Sequence, residues 1–300
     1  MRREALSSAR RGAWFESIQL RDVVAGISVA LVLIPQSLAY AELAGMPAER
    51  GLYAAALPPL AAAFFASSPY LQTGPVAITS LLTFGALSEL ATPGSGEYVA
   101  LAVLLALLVG LVRLAIGLAR SGVVAYLMSQ PVLLGFTSAA AILIVLSQMP
   151  TALGVDPDRD GVVERAAEAV AHPNAWETAA VMLSLVTLAL VVGGARVHAL
   201  FPGVLVAAAA GIAYSELAGY DGATVGSLGG ALPPFSVDFP WHSLATLLLP
   251  GFVIALVGFA EPAAIARTFA AQERKRWDPN REFVSQGAAN VAAAVSGGFP

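Results

Sequence analysis

Long apolar runs, each close to the length that crosses a lipid bilayer, follow one another along the whole chain. A helix needs roughly 20 apolar residues to cross the hydrocarbon core. Charged or Gly/Pro-rich breaks separate nine such runs, at 22–44, 51–68, 75–91, 97–119, 131–149, 174–194, 199–217, 241–271 and 281–298. The pattern predicts an all-α membrane protein, and the third run is short for a full crossing.

The composition supports a membrane protein and removes several other classes. Hydrophobic residues make up 57% of the 300 residues and charged residues only 12%, too little polar surface for a soluble globule of this size. The chain has no cysteine, which excludes disulfides and thiolate metal sites. The three histidines, His172, His198 and His242, are too scattered for a metal triad. No nucleophile–base pair or phosphate-binding glycine motif occurs, so neither an enzyme nor a cofactor is expected.

Lysine and arginine fall unevenly on the two sides of the predicted segments. With the N-terminus in the cytoplasm, twelve lie inside: Arg2, Arg3, Arg10, Arg11, Arg21, Arg120, Arg196, Arg267, Arg274, Lys275, Arg276 and Arg281. Three lie outside: Arg50, Arg159 and Arg165. Cytoplasmic loops are enriched in these residues, so the count predicts a multi-pass cell-membrane protein with a cytoplasmic N-terminus. Arg113 lies within the fourth run and is expected to snorkel. The loops at 156–173 and 219–235 are predicted to be ordinary solvated connectors outside.

A shift of about 225 residues superposes part of the chain on itself. ALVLIPQSLAYA (30–41) falls on ALVGFAEPAAIA (255–266), Gly26 falls on Gly251, and Pro75 falls on Pro300. Many secondary transporters consist of two copies of one helical unit inserted with opposite topology. The first and eighth runs cross in opposite directions, as such a repeat requires. The match predicts a chain that stops inside its second copy, with about 150 residues of the membrane domain missing.

Glu261 is the strongest candidate for an ion-coupling residue. About a dozen apolar residues precede it in the eighth run, and an ionisable group deep in a span costs at least about 2.5–3.5 kcal/mol. Such a group normally faces a cavity or a partner, and a carboxylate there could bind a proton or Na⁺. The alternative is a carboxylate near a helix end that snorkels or pairs with Arg267.

Gln36 is the repeat counterpart of this acidic region and follows Pro35. A proline removes a backbone hydrogen bond and exposes a carbonyl, so a broken helix at mid-membrane is expected here. Tyr40 lies one turn beyond Gln36 and could line the same cavity. A simple packing kink, with Gln36 bonded to the freed backbone, is the alternative interpretation.

The stretch YLQTGPVAITSLL, residues 70–82, predicts a short extended segment before the third helix. Thr73, Gly74 and Pro75 suit an extended approach with proline at the first helical position. The third helix would then begin inside the bilayer. Its free N–H groups and dipole would form an anion site that needs no cationic side chain. A plain turn between two helices is the alternative, and the segment near Pro300 would supply a second, facing helix N-terminus.

The segment RDVVAGISVALVLIPQSLAYAELAGMPAERGLYAAALPPLAAAFFASSPYLQTGPVAITSLL resembles the N-terminal signature of the sulfate permease (SulP) family. Further similar stretches are QPVLLGFTSAAAILIVLSQ, ALVGFAEPAAIARTFA and DPNREFVSQGAANVAAAVSGGFP, so the resemblance covers nearly the whole chain. It implies a UraA-like fold of 7+7 inverted repeats, truncated here within the second repeat. The expected organisation is a cytoplasmic segment (1–20), a first repeat (21–220), an extracellular connector (221–240) and an incomplete second repeat (241–300), without the STAS domain that members usually carry.

The resemblance also implies a function and a site. It implies a secondary transporter of a small inorganic anion, sulfate above all, with an elevator-type mechanism, a homodimeric state and coupling to H⁺ or Na⁺. The implied anion-binding residues are Gln36, Tyr40, Thr73, Gly74, Pro75, Val76 and Ala77. Glu261 matches the acidic position linked to cation coupling, and Pro262 stands where many members have serine. Bicarbonate, chloride or dicarboxylate transport, an anion channel or exchanger, a voltage-responsive motor and, more remotely, a membrane-embedded enzyme stay open at this point.

Overall fold

The computed structural model describes residues 20–126, 130–159, 161–198, 201–220, 222, 224 and 232–300. These residues form α-helices and connecting segments, without a β-strand among them. The helices are α1 (Leu20–Leu43), α2 (Ala48–Ala63), α3 (Ala77–Leu87), α4 (Gly96–Leu118), α5 (Gln130–Leu153), α6 (Val162–Ala171), α7 (Thr178–Leu188), α8 (Gly203–Ala218), α9 (Leu244–Gln272) and α10 (Pro279–Val295). A π-helical turn, Ala189–Gly193, and a last α-helical turn, Gly194–Val197, extend α7.

Each of the nine apolar runs contains a helix, which confirms the predicted all-α class. Among the described residues, four helical stretches are long and apolar enough to cross a membrane: Asp22–Leu43, Gly96–Leu118, Thr178–Val197 and Trp241–Gln272. Large apolar side chains on α7 are exposed, including Met182, Leu185 and Leu188. Side chains of this kind are stable at a lipid or protein surface and unfavourable in water.

The acidic loop at 156–173 is more than the solvated connector that its sequence predicted. It contains α6, which buries Ala166 and Ala169, and the Trp176 indole Nε1 donates to the Ala169 carbonyl at 2.8 Å. The polar side of α6 stays exposed and makes the surface ion pairs Arg159–Glu168 and Arg165–Asp156. Alanines form the buried face of α6 and charged residues surround them, so the sequence has no apolar run that predicts this helix. In the glycine-rich loop, residues 221, 223 and 225–231 lie outside the described residues, as do residues 1–19 of the N-terminal segment.

The helices pack in two groups, with α4 at the centre of the first. Helices α9 and α10 pack on α4, α2 packs on α10, and α1 packs on α2 and α3. Residues of α4 dominate the main apolar core, including the fully buried Leu104 and Leu105. The second group consists of α5 to α8, which pack mainly on one another. Fewer contacts join the groups, chiefly between α8 and α1 and between α5 and α9.

Glycines let α4 and α10 approach each other closely. A Cβ added at Gly110 would lie 2.8 Å from the Val291 backbone nitrogen, and one at Gly287 would lie 2.8 Å from the Leu114 nitrogen. Small residues at a helix crossing allow this backbone contact in membrane proteins. The pair α4–α10 therefore forms a rigid partition behind the site described below.

Hydrogen bonds between helix ends agree with the predicted alternation of sides. At one end of the bundle, the Gly94 N–H donates to the Gly45 carbonyl at 2.8 Å and the Tyr98 hydroxyl donates to the Ala44 carbonyl at 2.7 Å. At the other end, the Gly122 N–H donates to Asn280 Oδ1 at 2.8 Å. The end of α1 and the start of α4 therefore share one side, while the end of α4 and the start of α10 share the other.

Candidate functional site

A cavity of about 310 Å³ lies within the first helix group, between the segment before α3 and helices α4, α9 and α10. Its volume is at the lower end of the usual range for ligand sites, about 300–1,000 Å³. The cavity is bordered by Ala54, Pro58, Tyr70, Leu71, Gln72, Thr73, Gly74, Pro75, Val76, Thr79, Arg113, Gly258, Glu261, Pro262, Ile265, Gln286, Ala289, Asn290, Ala293, Phe299 and Pro300. The structure thus brings together two of the sequence candidates, the 73–76 stretch and Glu261.

The segment from Ala66 to Val76 has no regular helix, as its sequence predicted. The helix begins two residues later than expected, at Ala77, with the extended Val76 as its N-cap residue. Pro75 therefore precedes the helix and does not occupy its first position. The reason is that the Val76 carbonyl, and not that of Gly74, accepts the first helical hydrogen bond, from the Ser80 N–H at 3.0 Å.

The first turn of α3 presents its N–H groups without a side-chain cap. The hydroxyls of Thr79 and Ser80 both donate to the Val76 carbonyl, at 3.1 and 2.9 Å. The first N–H groups of a helix have no intrahelical partner and carry the positive end of its dipole. With Val76 and Thr79 on the cavity wall, this end of α3 makes the adjoining space favourable for an anion.

Glu261 of α9 is half-buried on the wall of the same cavity. Its carboxylate makes no hydrogen bond or ion pair with any other described residue. The pairing with Arg267 that the sequence left open does not occur, because the Arg267 guanidinium stacks over the Tyr126 ring, 4.8 Å from its centroid. Pro262, the next residue, has no N–H, so the Gly258 carbonyl lacks its usual helical donor beside the carboxylate.

Arg113 of α4 does not snorkel, contrary to the sequence prediction. Its side chain is 4% exposed and lies on the cavity wall. The Nε atom donates to the Ala255 carbonyl at 3.0 Å, and Nη2 donates weakly to the Ile254 carbonyl at 3.5 Å. The backbone of α9, one helix away, holds the guanidinium inside the protein. A cationic side chain therefore lies on the wall of this cavity, which the sequence did not predict.

Helix α10 contributes a polar face that the sequence analysis overlooked. Gln286 and Asn290, four residues apart, both line the cavity. Gln286 Nε2 donates to Thr73 Oγ1 at 3.4 Å, and Asn290 Nδ2 donates to the Gln286 carbonyl at 2.8 Å. Four-residue spacing places side chains on one helix face, so two amides in an alanine-rich run were a readable signal. Phe299 and Pro300, just beyond α10, complete this wall.

Gln36 and Tyr40 lie outside the cavity and contact each other. Gln36 Nε2 donates to the Tyr40 hydroxyl at 2.8 Å, and Gln36 is exposed. The expected break in the helix is absent, because α1 runs unbroken from Leu20 through Pro35 to Leu43. Leu33, one turn before Gln36, reaches to within 3.6 Å of the position a Cβ would take at Gly74. Ala77 begins α3 and is not among the residues that border the cavity.

Comparison with known proteins identifies the family. Residues 20–300 match the family model described as "Sulfate permease family". The chain belongs to the sulfate permease family. This membership confirms the resemblance of the sequence and makes the chain part of a multi-pass membrane transporter family.

Curated relatives of this sulfate permease chain include bacterial and plant proteins. It is 36% identical over 290 residues to a probable sulfate transporter of Mycobacterium tuberculosis, covering 93% of this chain and 50% of that protein. It is 35% identical over 298 residues to the chloroplastic sulfate transporter 4.1 of Arabidopsis thaliana, covering 96% of this chain and 43% of that protein. The chain therefore spans about half the length of these relatives.

Solved structures show the same fold. The murine solute carrier 26 family member A9 anion transporter, in the inward-facing state, superposes with a TM-score of 0.85 at 21% identity, covering 96% of this chain and 52% of that one. The transmembrane domain of a cyanobacterium bicarbonate transporter, BicA, gives a TM-score of 0.81 at 24% identity, covering 94% of this sulfate permease chain and 74% of that one. The UraA-like inverted-repeat fold expected from the sequence is thereby confirmed.

Proposed function

We propose that the protein is a secondary active transporter of a small inorganic anion, with sulfate as the first candidate. The observation that carries the proposal is the uncapped N-terminus of α3, which meets Glu261 around one cavity inside the helix bundle. The names of the relatives, sulfate transporters of bacteria and plants, support sulfate as the anion. Thr73, Gly74, Pro75 and Val76 form the proposed binding platform.

The anion is proposed to bind at the α3 end of the cavity. Backbone N–H groups there attract negative charge, and Gln286 and Asn290 add amide groups on the facing wall. A helix of 11 residues spans only about 16 Å at 1.5 Å per residue, about half of a bilayer core of about 30 Å, and we place its N-terminus inside the bilayer. Gln36 and Tyr40 stay proposed contacts for a conformation in which α1 faces the anion.

Glu261 is proposed to carry the coupling proton. A carboxylate that shares a cavity with an anion repels it, and protonation removes that repulsion. The other titratable side chains on the cavity wall are Tyr70, which is at the rim, and the buried Arg113. Sodium coupling through the same carboxylate is the alternative, and the uptake experiment below separates the two.

An elevator-type movement is proposed from the packing of the helices. The cavity belongs to the group α1–α4, α9 and α10, which the dense packing around α4 makes a single body. Sparser contacts join this group to α5–α8, so sliding at that boundary breaks fewer interactions than separation within the group. The proposal also includes a cell-membrane location with a cytoplasmic N-terminus and a homodimeric state. It divides the chain into a first repeat at 21–220, a connector at 221–240 and the start of a second repeat.

Uptake by the complete protein in proteoliposomes tests the proposal. Labelled sulfate is supplied with an imposed proton gradient, an imposed sodium gradient or neither, and bicarbonate, chloride and a dicarboxylate are added as competitors. We expect saturable sulfate uptake that the proton gradient drives. Glu261→Gln is expected to abolish gradient-driven uptake while leaving expression intact. Full proton-driven uptake in this variant removes Glu261 from the mechanism, and unsaturable flux contradicts a transporter.

A cysteine-labelling experiment tests the orientation. The 300 residues contain no cysteine, so once any cysteine in the rest of the complete protein is replaced, single cysteines at Pro93 and Lys275 report on the two ends of the bundle. In intact cells, a membrane-impermeant maleimide is expected to label the cysteine at Pro93 and not the one at Lys275. Labelling in the reverse pattern rejects a cytoplasmic N-terminus.

A further inference from the structure

Arg113 brings a full positive charge to a site that otherwise relies on backbone dipoles. It is 4% exposed, and no ion pair joins it to a described carboxylate. Glu261 borders the same cavity without bonding to it. A buried charge without a counter-ion is unfavourable, whereas one facing a bound ion of opposite sign is compensated. A bound anion in the cavity would therefore compensate the charge of Arg113.

The guanidinium also has donors to spare. An arginine side chain has five N–H donors, and two of them are used, by the carbonyls of Ala255 and Ile254. Three donors remain, two on Nη1 and one on Nη2. One N–H from each Nη atom forms the edge of the guanidinium that matches two oxygens of an oxyanion side by side. The bonds from Nε and Nη2 to α9 hold the group in a fixed orientation.

The surroundings of Arg113 are built to hold it at the cavity. A Cβ added at Gly258 would lie 2.7 Å from Arg113 Nη2 and 2.5 Å from Thr79 Cγ2. Arg113 and Thr79, the latter in the first turn of α3, therefore converge on the same glycine of α9. The positive end of α3 and the guanidinium thus lie on adjoining parts of one wall.

We propose that Arg113 is a direct ligand of the transported anion and selects oxyanions over halides. The inference rests on the proposed transport function and adds to it a specific cation and a selectivity. A spherical chloride gains only from the charge, whereas sulfate or bicarbonate also gains from the paired N–H groups. The N-terminus of α3 and the edge of Arg113, next to each other on one wall, both donate to the bound anion.

Binding and uptake by two Arg113 variants test this inference in the complete protein. Sulfate and chloride affinities are measured by titration of the purified protein at constant ionic strength. For Arg113→Gln, which removes the charge, sulfate affinity is expected to fall about tenfold to hundredfold, the effect of losing hydrogen bonds to a charged group. For Arg113→Lys, which keeps the charge without the planar edge, sulfate affinity is expected to fall about tenfold. Chloride affinity in the lysine variant should stay within about threefold of wild type, since a point charge suffices for it.

Tyr98→Phe serves as the matched control. It also removes a buried hydrogen bond from α4, to the Ala44 carbonyl, but Tyr98 does not border the cavity. Its sulfate and chloride affinities are expected to equal those of wild type. If Arg113 had a purely structural role, the lysine variant would lose affinity for sulfate and chloride together, and this result overturns the inference. Wild-type sulfate affinity in either Arg113 variant also overturns it.

The outcomes separate this inference from the proposed function. Wild-type sulfate uptake that persists with unchanged affinity in Arg113→Gln overturns the role of Arg113 and leaves the transporter intact. A wild-type protein that binds none of sulfate, bicarbonate and chloride overturns both. If Arg113→Gln does not fold, the ratio of sulfate to chloride affinity in Arg113→Lys decides alone, because an unchanged ratio rejects the selectivity.

Discussion

Gly258 packs tightly against two of the residues that border the proposed anion site. Its missing side chain leaves room for Arg113 Nη2 and Thr79 Cγ2 in the wall of the cavity. Neither neighbour moves freely, because Arg113 is bonded to α9 and the Thr79 hydroxyl to the Val76 carbonyl. A larger residue at 258 must therefore displace the groups that we assign to the anion.

Gly258→Ala is expected to destabilise the protein by about 1–3 kcal/mol, the usual cost of overpacking, and to weaken sulfate binding. Thermal unfolding with and without sulfate measures both effects. Gly85→Ala on α3 is the matched control, since nothing lies within 4 Å of the added Cβ. That control is expected to gain about 0.5–1 kcal/mol from helix propensity. Equal stability of the two alanine variants contradicts the tight fit at Gly258.

The sequence identifies the charged residues within apolar runs, but it does not predict where their side chains point. Glu261 was identified because a carboxylate in an apolar run is expensive, and the structure puts it on a cavity wall. Arg113 was equally visible, but its long side chain allowed two destinations, the membrane surface or the interior. The carbonyls of α9 decide between them, and they are 141 and 142 residues away in sequence. No local pattern reports such a contact.

At the scale of elements, hydrogen bonds from α10 hold the start of the non-helical segment before α3. Glu282 of α10 is 1% exposed, and its Oε2 accepts from the Ser67 hydroxyl at 2.9 Å and from the N–H groups of Ser67 and Ser68 at 3.2 and 3.3 Å. The Arg281 Nε donates to the Phe65 carbonyl at 2.9 Å. These bonds tie the end of α2 to the start of α10, next to the segment that leads to the proposed platform at 73–76.

Glu282→Ala is expected to lower the free energy of unfolding by about 2–5 kcal/mol, because it leaves buried N–H groups without their charged acceptor. Ser67→Ala removes a single hydroxyl donor and should cost only about 1 kcal/mol. Glu282→Gln keeps one carbonyl acceptor and should fall between them. Denaturant unfolding in detergent measures the series. An alanine variant as stable as wild type would mean that the carboxylate does not hold the segment.

The elements themselves were largely predictable, and their ends were not. Apolar runs of bilayer length identified the helices, and Gly74-Pro75 identified the extended approach to α3. The start of α3 was misplaced by two residues because hydroxyls at Thr79 and Ser80 favour Val76 as the last residue before the helix. Pro35 predicted a break in α1 that the structure lacks, since neighbouring helices can hold a proline-containing helix together.

For the whole molecule, the boundary between the two helix groups is where movement is expected. A second cleft of about 240 Å³ lies on this boundary, with Leu81 of α3 on one side and Leu146 of α5 on the other. Within the first group, by contrast, α4 and α10 touch backbone to backbone at Gly110 and Gly287. Transport by an elevator movement therefore changes the cleft and leaves the α4–α10 contact unchanged.

A thiol-reactive cross-linker that is cleavable by reduction, placed between cysteines at Leu81 and Leu146, is expected to stop sulfate uptake and to leave sulfate binding intact, because it joins the two groups without entering the site. Uptake after cross-linking, and again after reduction, measures the effect in proteoliposomes. The two single-cysteine variants, treated identically, control for the reagent itself. Normal uptake by a fully cross-linked protein contradicts relative movement of the groups at this cleft.

The missing N–H of Pro262 affects which ions the cavity can hold together. It leaves the Gly258 carbonyl without its helical donor next to the Glu261 carboxylate, so oxygen atoms gather on that flank of the chamber. The Arg113 guanidinium and the first turn of α3 converge on that same glycine, so hydrogen-bond donors and acceptors lie next to each other on this wall. Adjacent donors and acceptors favour a negative and a positive ion bound together, so that the pair crosses the low-dielectric layer with little net charge.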